Sequence, residues 1–137
     1  MTRQLQNEDY DALAAYRYAM RKFLRFSKDE LAARAKITPE QYEALLALRA
    51  SAHEGDFTIG QLSERLQVKH HSAVTLVAKL VERGLVARRA GTTDRRQVFL
   101  KLTPQGSTLL AKVAASHREE IRRRSTEMIE ALTRLQK

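Results

Sequence analysis

The chain has 137 residues, 43% of them hydrophobic, which suits one domain with a core and is too apolar for a disordered chain. It contains no cysteine, which excludes disulfides, thiolate nucleophiles and cysteine-based zinc sites, and it has no apolar run near the roughly 20 residues of a membrane span. The formal charge is +9 and unevenly spread: residues 55–101 hold nine Lys and Arg against four Asp and Glu, whereas residues 1–54 hold nine against eight. A charge concentrated in this way points to a polyanionic partner, with nucleic acid the first candidate and an anionic membrane surface the second. The polar, mixed-charge stretch 1–10 reads as neither a signal nor a transit peptide, so a cytoplasmic protein is expected.

In chain order, a first helix is predicted over residues 9–34, with Leu13, Tyr16, Met20, Phe23 and Leu24 at helical spacing. Thr38-Pro39-Glu40-Gln41 opens a second helix: Thr caps it, Pro suits its first position, and Gln41 completes a capping box. Its apolar residues are Tyr42, Leu45, Leu46 and Leu48, and Gly55 and Asp56 punctuate its end. Thr58-Ile59-Gly60-Gln61 is a second capping box and starts a short helix over 59–66. A tight turn at Gln67, Val68 and Lys69 leads into a helix over 70–83, striped by Ala73, Leu76, Val77 and Leu80 and closed by Gly84. Residues 85–89 read as a strand and 90–95 as a turn. Residues 97–102 are a second strand, in which Val98, Leu100 and Leu102 alternate with Gln97, Phe99 and Lys101. This hairpin sets Arg88, Arg89, Arg95, Arg96 and Lys101 against Asp94.

Thr103-Pro104 then begins a long helix over 104–136, in which Leu110, Ala114, His117, Ile121, Met128, Leu132 and Leu135 keep a nearly heptad spacing. About 30 helical residues span about 45 Å, too long for one small domain to bury. The stripe calls for a partner helix, most simply from a second copy of the chain. The expected fold is therefore mainly α with a small β-hairpin. A single domain covers 1–137, with a winged helix-turn-helix core over 38–102 flanked by dimerisation helices over 9–34 and 104–136. In such a core the second helix of the pair enters the major groove of DNA, and the hairpin reaches the flanking backbone or minor groove.

Three segments carry a likeness to a known family: Leu80-Val81-Glu82-Arg83-Gly84-Leu85-Val86, Asp94-Arg95-Arg96, and Leu102-Thr103-Pro104-Gln105-Gly106. In this order and spacing the chain resembles the multiple-antibiotic-resistance regulator (MarR) family of dimeric regulators. The resemblance implies that Arg96 and Arg95 enter the minor groove with Asp94 bracing the tip. It also implies that His70, His71, Ser72, Thr75 and Lys79 contact bases or phosphates, with Arg88 among the basic residues of the wing. It further implies a homodimer on a palindromic operator, joined through Leu13, Leu110, Ala114, Ile121, Met128, Leu132 and Leu135. A small aromatic or phenolic effector is implied between the first, second and fifth helices, near Tyr42, with Arg17, Arg21 or Arg49 anchoring its carboxylate. Two departures stand out. Thr75 and Val74 replace the family's frequent Arg and Thr or Ser, and nothing between 107 and 137 breaks the last helix, which the family usually divides.

An enzyme is not expected, since no phosphate-binding glycine loop and no nucleophile with an obvious base occurs. No metal or other cofactor is expected either: His53, His70, His71 and His117 show no ligand spacing. Arg118, Arg122, Arg123 and Arg124, interleaved with Glu119 and Glu120, read as a solvated helix face. A non-specific architectural or RNA-binding use of the same winged helix stays open at this level.

Overall fold

The computed structural model describes residues 3–94 and 96–137. Arg95, expected at the wing tip, lies outside the described residues. The order of elements is α1 (Asn7–Arg34), α2 (Pro39–Ala50), a 3-10 turn (Ala52–Glu54), β1 (Phe57–Thr58), α3 (Ile59–Leu66), α4 (His70–Glu82), β2 (Val86–Ala90), β3 (Val98–Leu102) and α5 (Pro104–Leu135). These elements form two compact units, one of residues up to Glu30 with Ala114–Lys137, the other of Leu31–Val113.

Local chemistry sets the helix starts in the second unit. Thr38 and Thr58 each accept a hydrogen bond from the backbone N–H three residues on, at 3.1 and 3.0 Å. Gln41 and Gln61 reach back to the N–H of those threonines at 2.9 and 2.8 Å. Both capping boxes read from the sequence are thus formed, and each satisfies donors that a helix start leaves open. Thr38→Ala is expected to lower stability by about 1 kcal/mol, seen as a lower thermal midpoint. An unchanged midpoint would show that the box contributes nothing.

Helix ends follow from left-handed residues. After α4, Gly84 takes φ 73. Its N–H donates to the Val81 carbonyl at 2.9 Å, and the Leu85 N–H donates to the Leu80 carbonyl at 3.0 Å. This paired closure explains the Gly-Leu step, because only the first position needs a residue without Cβ while the second returns an apolar side chain to the core. Leu80 and Leu85 are both buried. Around them Leu45, Leu62, Ala73 and Val77 make the core of this unit, each large side chain contributing about 1.5–3 kcal/mol through burial.

The expected two-stranded hairpin is part of a three-stranded antiparallel sheet of order β1-β3-β2. Phe57 lies opposite Leu100 and Thr58 opposite Phe99, while Arg88 lies opposite Leu100 and Arg89 opposite Phe99. Side chains alternate between faces. Val86, Arg88, Leu100 and Phe57 therefore share one face, and Ala87, Arg89 and Phe99 the other. The first is the core face, since Val86, Leu100 and Phe57 are buried.

In the first unit, Ser27 bonds His117 at 2.8 Å and Lys22 pairs with Glu127 at 2.8 Å, so α1 and α5 run antiparallel there. Ala12, Ala19, Ser27 and Ala131 are buried, small residues that let helices approach closely. The long helix is continuous from Pro104 to Leu135, as its lack of breakers predicts. Its heptad stripe is not one exposed seam. Leu110 is only 3% exposed and belongs to the core of the second unit with Val113, which corrects its place in the expected subunit interface. His117 is 2% exposed, edge-on to Phe23 and Phe26. Leu13, Ile121 and Leu132 remain exposed, and Ala114, Met128 and Leu135 are half-buried.

Candidate nucleic-acid interface

α3 and α4 form a helix-turn-helix whose turn depends on Gln67. This residue sits at φ 55, and its N–H and that of Val68 donate to the carbonyls of Glu64 and Ser63 at 3.1 and 3.0 Å. Its own side-chain amide donates to the Glu64 carbonyl at 2.8 Å and to the Glu64 carboxylate at 3.1 Å. The chain then reverses into α4 after only Val68 and Lys69.

α4 is divided cleanly. Ala73, Val77 and Leu80 are buried, while His70, His71, Ser72, Val74, Thr75 and Lys79 are exposed. His71, Thr75 and Lys79 follow one another at single-turn spacing, so they form one line along the outer face. Lys69 caps the helix without a side-chain hydrogen bond. The first N–H groups of α4 thus keep their donors and the positive end of the helix dipole, an arrangement that suits a phosphate. The Thr75 hydroxyl donates to the His71 carbonyl at 3.1 Å, which leaves its oxygen lone pairs and methyl group facing outward.

At the wing tip, the Asp94 carboxylate accepts from the Arg96 backbone N–H at 3.0 Å and from Arg96 Nε at 3.3 Å. The Arg96 side chain is 93% exposed, so the guanidinium is aimed by Asp94 and otherwise free to meet an anion. Gly91 is required here: a Cβ on it would stand 2.3 Å from the Asp94 carbonyl oxygen. Arg89 was not singled out as a site residue in the sequence. It pairs with Asp56 at 2.8 Å and lies over the Phe99 ring at 4.9 Å, so it locks β2 to the segment before β1. Arg88 is turned to the core face of the sheet and lines a groove with Arg49.

The residues expected around an effector are divided between the units. Arg17 and Arg21 are exposed on α1. Tyr42 is buried in α2, where burial holds its hydroxyl above the usual tyrosine range, and Arg49 is exposed at the other end of that helix. Among the described residues no group of three His, Asp or Glu side chains is placed to hold a metal ion. No helix among them is long and apolar enough to cross a membrane.

A helix-turn-helix with an open outer face, followed by a two-stranded wing whose β3 also pairs with the short β1 ahead of α3, defines a winged helix-turn-helix protein. Residues 35–97, just under half of the chain, match the model of the MarR family. The HTH-type transcriptional repressor MdtR of Bacillus subtilis is 36% identical over 83 residues, which cover 60% of this chain and 51% of MdtR. The chain thus spans about half the length of this relative. The fold extends further. AbsC, a MarR family transcriptional regulator from Streptomyces coelicolor, superposes with a TM-score of 0.80 at 24% identity, covering 98% of this chain and 90% of AbsC. Sco3205 from the same organism, a MarR family transcriptional regulator solved in complex with DNA, superposes with a TM-score of 0.78 at 22% identity, covering 90% of this chain and 77% of Sco3205.

Proposed function

We propose that this chain is a sequence-specific, double-stranded DNA-binding transcriptional regulator that acts as a homodimeric repressor on a palindromic operator. The observation that carries this reading is the outer face of α4. It offers an uncapped N-terminus with Ser72, Thr75 and Lys79 in the open, on the element whose docking geometry places base-reading side chains in the major groove. The braced Arg96 adds a cation suited to the backbone or the minor groove. Repression by the similar MdtR and the DNA complex of Sco3205 point the same way.

Selection of bound sequences from a random duplex pool tests the reading. A two-fold symmetric motif with half-sites about 10 base pairs apart is the expected result. Uniform retention of all duplexes, or preference for RNA, would replace it with an architectural or RNA-binding function. With the selected duplex, Arg96→Ala is expected to weaken binding to specific and random DNA alike. It should lower the slope of log affinity against log salt by about one. Parent-like affinity and slope would remove the hairpin from the interface.

A further inference from the structure

We propose that, given the DNA-binding reading on which this rests, the middle of α4 selects thymine through its C5-methyl group and that Val74 makes the contact. Val74 is 39% exposed, while Ala73, Val77 and Leu80 of the same helix are buried. Ala78, one turn on, is exposed as well, and so is Thr75, adjacent to Val74 in the chain. At this spacing the three side chains are neighbours on the outer face of the helix.

What this patch lacks decides what it can read. Val74 and Ala78 have no hydrogen-bonding side chain. The Thr75 hydroxyl donates to the His71 carbonyl at 3.1 Å, so its hydrogen is engaged within the helix and its oxygen lone pairs remain. Guanine shows two acceptors, O6 and N7, in the major groove and is read by donors. The middle of α4 presents no side-chain donor. Donors lie on either side of it: His70, His71, Ser72 and the uncapped backbone N–H groups before it, Lys79 after it. An A·T pair fits, since thymine alone among the bases presents a methyl group there, and adenine presents an amino group to a lone pair such as that of Thr75. Covering the methyl with valine removes apolar surface of both partners from water.

The reading face is thus divided by chemistry. Its two ends suit phosphates and the hydrogen-bonding edges of bases, and its centre discriminates by apolar contact. Cytosine methylated at C5 carries the same group at the same place in the groove, so the centre of α4 tells it from plain cytosine.

The test uses the full chain and the duplex that the parent selects from a random pool. Deoxyuridine replaces the thymines one position at a time, which removes a methyl group and leaves every hydrogen bond of the pair in place. At the position under Val74 the parent is expected to lose about fourfold in affinity for each methyl removed. With a C·G pair placed there instead, methylation of the cytosine at C5 should raise affinity by about the same factor. Val74→Ala is expected to bind the thymine and uracil duplexes nearly equally, and likewise the two cytosine duplexes. Each ratio is taken within one protein, so any change in the variant's stability cancels. A parent indifferent to uracil at every position, a selected half-site without thymine, or a Val74→Ala variant that discriminates as the parent does would overturn the assignment. Each of these leaves the DNA reading standing, because the parent still selects a duplex. A parent that selects none overturns both.

Discussion

Gly106→Ala is expected to lower the unfolding midpoint by roughly 5–10 °C, corresponding to about 2 kcal/mol or more. The direction is informative, because alanine in place of a helical glycine ordinarily stabilises by roughly 1 kcal/mol. Here a Cβ would stand 2.1 Å from the Leu85 carbonyl oxygen and 3.0 Å from its carbon. That carbonyl is held in place: it accepts from the Thr103 N–H at 3.1 Å, the Thr103 hydroxyl donates to the Gly84 carbonyl at 2.6 Å, and the same hydroxyl accepts from the Gly106 N–H at 3.0 Å. Backbone is thus pinned against backbone, and neither side can yield cheaply. The contact gives the Leu-Thr-Pro-Gln-Gly segment a physical meaning, since Thr103 caps α5 and ties it to the entrance of β2 while Gly106 permits the approach. Differential scanning calorimetry decides it, and a midpoint at or above the parent's would show that the start of α5 does not press on Leu85.

Leu132→Asp is expected to abolish dimerisation and, with it, operator binding. Ile121 and Leu132 are 47% and 44% exposed and Ile129 is 60% exposed, so α5 carries apolar surface that its own unit does not cover. In a monomer, an aspartate at such a place does little. In a dimer seam it buries an unpaired charge, at a cost of about 3–5 kcal/mol. That weakens association by more than about a hundredfold. Operator binding follows, because a palindrome is read by two α4 helices about 34 Å apart. Sedimentation of parent and variant, with duplex binding measured in parallel, supplies the answer. A monomeric parent at micromolar concentration, or a variant that dimerises and binds as the parent does, would leave the proposed mode of DNA recognition without its basis.

What could be read from the sequence was whatever nearby residues decide. The two Thr-x-x-Gln boxes, Gly84 and the unbroken run after Pro104 each act within a few residues, and each appears where it was expected. β1 was out of reach, because Phe57 and Thr58 become a strand only by pairing with Leu100 and Phe99, more than 40 positions away. The heptad stripe misled for a related reason. Spacing shows that Leu110 and His117 need apolar cover but not who provides it; both are buried within the single chain, His117 against Ser27, Phe23 and Phe26. At the candidate site, the outer face of α4 could be read from its period. The facing of Arg88 could not, because the predicted strand began at Leu85 and its alternation carried no burial for Arg88 to follow.

The left-handed Gln67 bears on how quickly and tightly the two helices could seize a duplex. A non-glycine residue there stores roughly 1–2 kcal/mol of backbone strain, and the chain holds it with the two bonds from its side-chain amide to Glu64. A glycine would relieve the strain but would also let the turn wander. With glutamine, the angle between α3 and α4 is set when the protein folds, so no ordering of the turn is left to oppose association, and affinity at the interface is not diluted by orientations that cannot dock.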